Sequence, residues 1–174
     1  MGASVKPRLV IIRGPSCSGK STLVRGLAKT PRLKVEYLMS DRFEFFTTPN
    51  WYAPMSEDHL ERLGRLAGEL LASHGDRDIL IEECFADPAS VKRVVEAAGR
   101  SLADRSVVII TLSASRDKCE ERYRAGTRRD KISGDFQQWG PASNMMGRPW
   151  WLTIDTESKD AEEVRARVEQ HLCP

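Results

Sequence analysis

A membrane-crossing segment is the first thing missing. No apolar run in the 174 residues approaches the roughly 20 that a bilayer span needs. The first residues carry no signal-peptide pattern, so the expected location is cytoplasmic, with no membrane partner. Cysteine is sparse: Cys17, Cys84, Cys119 and Cys173 form no C-x-x-C pair, and no histidine stands at ligand spacing beside them. That argues against a disulfide framework or a zinc site and for reduced structural thiols. Charge excess is also absent. A formal net charge of +2 neither demands nor excludes a polyanionic partner. There is no internal repeat and no low-complexity linker. With 40% hydrophobic and 30% charged residues, the chain is expected to be one soluble globular domain spanning residues 1–174.

What is present is an alternation. "RLVIIRG" is a short β-branched run stopped by a glycine, which reads as a buried strand. "KSTLVRGLAKT" reads as a helix ended by Pro31, and "KVEYLMS" as a second strand. In "SEDHLERLGRLAGELLASHG" the leucines 60, 63, 66, 70 and 71 fall at helical spacing, with Ser56 as a candidate N-cap and Gly75 as the stop. "DILIEE" is a third strand, and "DPASVKRVVEAAG" a helix with Pro88 in its first turn. "SVVIITLSA" is a fourth strand, and "SRDKCEERYRAG" a charged helix. Residues 126–150 read as a long irregular segment. "WLTID" and "DAEEVRARVEQHL" close the chain as strand and helix. Strands and helices alternating in this way predict a parallel sheet covered by helices on both faces.

Between the first strand and the first helix lies "GPSCSGKS", Gly14 to Ser21, which fits G-x-x-x-x-G-K-[ST]. Glycines let such a loop curl until its N–H groups point inward at phosphate oxygens, and the following helix adds its positive end. Gly14, Pro15, Ser16, Cys17, Ser18, Gly19, Lys20, Ser21 and Thr22 are therefore the candidate nucleotide-binding residues. Lys20 is assigned to the β- and γ-phosphates and the Ser21 hydroxyl to Mg²⁺, with ATP as the nucleotide. Cys17 reads as a small filler. The motif occurs in many families, but a guanine-reading N-K-x-D is absent, an ABC signature is absent, and the chain is too short for a helicase core.

The layout that remains resembles the nucleotide-kinase-like group of small P-loop kinases, among them proteins similar to chloramphenicol phosphotransferase, zeta-toxin kinases and the kinase domain of polynucleotide kinase. The resemblance covers nearly the whole length, although only the loop is a sharp motif. It implies a P-loop NTPase fold with a five-stranded parallel sheet in the order 2-3-1-4-5 and an arginine-bearing lid, here about residues 122–148.

In the resembling kinases an aspartate after the second strand contacts the acceptor hydroxyl, and Asp41 of "YLMSDRFEFF" matches it. A carboxylate there can align the attacking oxygen and take its proton. The family often places an arginine three residues on. Here that position is Glu44, and Arg42 is adjacent to Asp41 instead. Glu82 and Glu83 end the third strand, where a carboxylate commonly orders Mg²⁺ or its waters. Strand neighbours point to opposite faces, so one of the two reaches the site; Glu82 is the metal candidate and Glu83 the alternative.

Residues 116–131 carry a net charge of +3. Family arginines in this region close over phosphate oxygens. Arg122 and Arg128 fit the lid spacing best, with Arg124 and Arg129 as alternatives, whereas Arg116 and Lys118 read as a solvated helix face. Trp51 and Tyr52 follow the Asp41 segment and are candidate acceptor-stacking residues beside Arg42. Trp150 and Trp151 read as anchors. The family's last strand ends much like Thr153–Thr156, near its adenine. The expectation is an ATP- and Mg²⁺-dependent phosphotransferase acting on a hydroxyl of a small molecule, as a monomer or dimer. The alternatives are a kinase of a nucleic-acid hydroxyl and a non-catalytic nucleotide-binding module.

Overall fold

Alternation along the strands divides the core in two. The computed structural model describes residues 6–39, 57–83, 85, 88–101, 104, 106–125 and 151–173. Five strands are present: β1 (Leu9–Arg13), β2 (Val35–Met39), β3 (Asp78–Glu83), β4 (Val107–Ser113) and β5 (Leu152–Asp155). All pair in parallel in the order β2-β3-β1-β4-β5, the order that the resemblance implies. Five helices are described: α1 (Lys20–Leu27), α2 (Glu57–Ser73), α3 (Pro88–Ala97), α4 (Arg116–Ala125) and α5 (Ala161–Leu172).

Leu9, Ile11, Ile79, Ile81, Val107 and Ile109 share one apolar cluster with the buried residues of α2 and α3. Val10, Ile12, Leu80, Val108 and Ile110 share the other with Leu23, Val24 and Leu27 of α1 and Val164, Val168 and Leu172 of α5. Both faces of the central strands are covered, which is why these strands read as continuous hydrophobic runs. Each fully buried Ile or Leu contributes about 1.5–3 kcal/mol by leaving water. Together they fix β1 at the centre of the sheet, and the phosphate loop leaves from its C-terminal end.

The ends of the elements are held by specific polar contacts. Asp160 caps α5 by accepting from the Glu162 and Glu163 amides, while the Glu163 carboxylate returns to the Asp160 amide. At the N-terminal edge of the sheet, the Arg8 guanidinium grips Asp78 at 2.6 Å and donates to the Leu172 carbonyl at 2.6 Å. That ion pair braces the end opposite the phosphate loop. The candidate cap Ser56 lies outside the described residues.

Helices α2 and α3 cross closely because Gly64 has no side chain. A Cβ there would sit 2.4 Å from the Val94 carbonyl oxygen and 2.6 Å from the Ala97 Cβ. Gly64→Ala gains about 1 kcal/mol of helix propensity but overpacks against backbone, at typically about 1–3 kcal/mol. Because backbone cannot turn aside, the clash wins. We expect a net loss of up to about 2 kcal/mol, read as a lower urea midpoint at unchanged slope. A midpoint equal to or above wild type would show that the two helices have room to part.

Candidate functional site

The loop between β1 and α1 takes backbone conformations that ordinary residues avoid. Gly14 has φ +148°, and a Cβ there would lie 2.3 Å from the Leu112 carbonyl oxygen, so the loop presses directly against the end of β4. Cys17 has φ 63° and Gly19 φ 101°. Gly19 precedes α1, in the left-handed region and with no side-chain cap. Lys20 is only 8% exposed, and its Nζ folds back to donate to the Gly14 carbonyl at 2.8 Å and the Pro15 carbonyl at 2.9 Å. The ammonium is thereby held at the mouth of the loop. Thr22 is exposed on α1, one residue past Ser21.

Strand parity puts the two carboxylates of β3 on opposite faces of the sheet. Glu82 falls on the face of Leu80, toward α1, and Glu83 on the face of Ile81, toward α2 and α3. Glu82 is 8% exposed. One of its oxygens accepts from the Ser21 hydroxyl and the other from the Tyr37 hydroxyl. Ser21 and Glu82 are 61 residues apart in sequence, and the fold brings them into direct contact. Glu83 is paired in register with Arg13, which is 1% exposed, and lies near His59 of α2. Burial pulls the His59 pKa below its ordinary value, and the Glu83 charge opposes that shift. Tyr37 is a site residue that reading the sequence missed. Counting by twos along β2 places it on the α1 face, but nothing local marks its hydroxyl as a partner for a carboxylate.

A hard-oxygen pair of this kind suits Mg²⁺. Among the described residues no group of three or more His, Cys, Asp and Glu could hold a metal ion. That is no objection to nucleotide-bound Mg²⁺, which takes one or two protein oxygens and keeps phosphates and waters for the rest.

Arg122 is placed differently from a free lid arginine. Its guanidinium donates to the Thr156 hydroxyl at 3.2 Å and also to the Thr156 carbonyl. The buried Thr156 hydroxyl in turn lies 3.0 Å from the Ser113 carbonyl and 3.3 Å from the Ser18 carbonyl. Thr156 thus joins the phosphate loop, the end of β4 and helix α4. For Arg122 to reach a phosphate, it must exchange its Thr156 contacts for phosphate oxygens. Arg124 is exposed and paired with Glu120 at 3.3 Å. Arg116 pairs with Glu120 at 3.0 Å and Lys118 with Glu121 at 2.8 Å, both on the solvated face expected for them.

Cys17, Cys119 and Cys173 are free thiols. Burial in α4, reinforced by the neighbouring Cys17, pushes the Cys119 pKa up to about 11, so its thiol stays protonated at neutral pH. Asp41, Arg42, Glu44, Trp51, Tyr52, Cys84, Arg128, Arg129 and Trp150 lie outside the described residues, as does 126–150, the larger part of the expected lid. Trp151 packs against the α2–α3 cluster, as an anchor should. Among the described residues no helix is long and apolar enough to cross a membrane.

Residues 9–140 match the family described as AAA domain, AAA_33. No curated protein matches the sequence. Several solved structures share the fold at low identity. A sugar kinase from Janibacter sp. HTCC2649 aligns with a TM-score of 0.71 at 19% identity, over 95% of this chain and 94% of that one. A gluconokinase from Sinorhizobium meliloti 1021 aligns with a TM-score of 0.65 at 16% identity, over 95% and 91%. The APS kinase of Mycobacterium tuberculosis, in complex with AMPPNP and APS, aligns with a TM-score of 0.62 at 19% identity, over 96% and 98%.

Proposed function

The chain belongs to this AAA-domain family of P-loop kinase-like proteins, and on that premise we propose that it transfers the γ-phosphate of ATP to a hydroxyl of a small molecule. The observation that carries the proposal is the convergence of Lys20, Ser21 and Glu82 at the C-terminal edge of the sheet. A bare nucleotide cradle needs only the loop. A carboxylate on the loop serine is the arrangement that holds a metal at a transferring phosphate.

In this reading the loop amides and Lys20 bind the β- and γ-phosphates. The Lys20 ammonium is already held at the loop by the Gly14 and Pro15 carbonyls, which limits its reorganisation as charge develops. Ser21 and Glu82 would hold Mg²⁺, whose chemistry when bound is to neutralise charge on the phosphate oxygens. Asp41 aligns the acceptor hydroxyl and accepts its proton, leaving the oxygen free to attack. Arg122, released from Thr156, and Arg128 neutralise the charge of the transferring group. Arg42, Trp51 and Tyr52 contact the acceptor. Small-molecule kinases that align along nearly their whole length support the acceptor class.

The test is ADP release from ATP and Mg²⁺ against panels of nucleosides, sugars, antibiotics and oligonucleotides. We expect release above the acceptor-free rate with one class of small molecule and only weak dependence on salt. Release with oligonucleotides alone, with affinity falling steeply as salt rises, would move the acceptor to nucleic acid. ATP binding without release for any acceptor would make the protein a nucleotide-binding module.

A further inference from the structure

Resting on the nucleotide site just described, we infer that Tyr37 is a positioning residue for metal binding, fixing the Glu82 carboxylate beside the Ser21 hydroxyl that ligates the metal. Its register, its face and the spacing along a strand converge on it. Tyr37 pairs in register with Leu80, two residues before Glu82 on the neighbouring strand. Tyr37 and Glu82 lie on the same face of the sheet. Two strand residues span about 6.6 Å, a gap that a phenol leaning along the strand can cross and a shorter side chain cannot.

The two hydroxyls on Glu82 are not equivalent. Ser21 belongs to the phosphate loop, and its oxygen is the one that ligates Mg²⁺ in this motif. It does so through a lone pair, and its O–H can go on donating to the near oxygen of Glu82. The Tyr37 bond goes to the other carboxylate oxygen. Tyr37 therefore fixes one oxygen of Glu82 and leaves the other presented to Ser21 and the metal. Without the phenol hydroxyl, a largely buried carboxylate would have to be reoriented by the metal itself, at the expense of metal affinity. Tyr37 also ties the metal carboxylate to β2, the strand that leads toward Asp41.

Tyr37→Phe removes the hydroxyl and keeps the ring, which packs partly against the α1–α5 cluster. The measurement is ATP affinity by calorimetry across a Mg²⁺ titration, started in EDTA, on wild type, Tyr37→Phe, Glu82→Gln and the double variant. We expect the Mg²⁺ concentration for half-maximal enhancement of ATP binding to rise on the order of 10-fold in Tyr37→Phe. Affinity for ATP in EDTA should be unchanged. In the Glu82→Gln background the same substitution should add little, because the hydroxyl acts through that carboxylate. An unshifted Mg²⁺ half-point in Tyr37→Phe, with or without a lower melting temperature, would overturn the positioning role alone. ATP affinity in the wild type that does not respond to Mg²⁺ would overturn the metal site and, with it, this inference.

Discussion

Lys20→Ala should bind ATP about 10- to 100-fold more weakly, the loss of one charge-assisted contact of about 1.5–3 kcal/mol. Turnover should fall further, by about 10²- to 10³-fold, because the ammonium matters most where charge develops. The structure sharpens the expectation. Lys20 is nearly buried, and its Nζ is held by the Gly14 and Pro15 carbonyls across the mouth of the loop. Those two oxygens lose a donor in the variant, so some loss of stability is also expected. Lys20→Met retains much of the stem's volume and separates packing from charge. A folded Lys20→Met protein that binds and turns over ATP as the wild type does would remove Lys20 from the site.

The other large effect is at Asp41. Asn keeps its shape and much of its hydrogen-bonding reach but loses the basicity. Asp41→Asn should leave ATP affinity nearly intact while phosphotransfer falls by about 10²- to 10⁴-fold. If Asp41 served only to cap a helix, Asn would do almost as well, and turnover would barely change. Measuring ATP binding and phosphotransfer on the same preparation separates the two roles. Near-wild-type transfer would pass the base to Glu44, Glu82 or Glu83. Of these, Glu82 already accepts two hydroxyls at the proposed metal position and Glu83 faces α2 and α3, so the structure ranks neither as a free base.

Reading the sequence recovered the elements better than the contacts between them. "DILIEE" became β3 residue for residue, and the leucines at helical spacing placed α2, because both signals are local periodicities. The sheet order required the family resemblance, since periodicity does not say which strands are neighbours. The loop was legible because its chemistry demands glycine and lysine at fixed spacing. Glu82 and Glu83 could not be separated by sequence alone: a one-residue shift of parity exchanges their faces, and only the observed packing sets it. Tyr37 and Thr156 were hidden for a related reason. Tyr37 acts on a residue 45 positions away, and Arg122 meets Thr156 across 34. Such contacts exist only once the sheet has formed. A run of arginines signals phosphate contact from sequence, yet an arginine can equally be engaged by a backbone carbonyl, as Arg122 is here.

The central claim is that Lys20, Ser21 and Glu82 form a phosphotransfer site rather than a nucleotide cradle alone. Its most direct test is to follow label from γ-³²P-ATP in the presence of Mg²⁺ and the acceptor panel, with wild type and Lys20→Met side by side. The account predicts label on a small-molecule hydroxyl with the wild type, and at least about 10²-fold less with the variant. Label that stays on ATP, or appears only as inorganic phosphate at equal rates with both proteins, would contradict it.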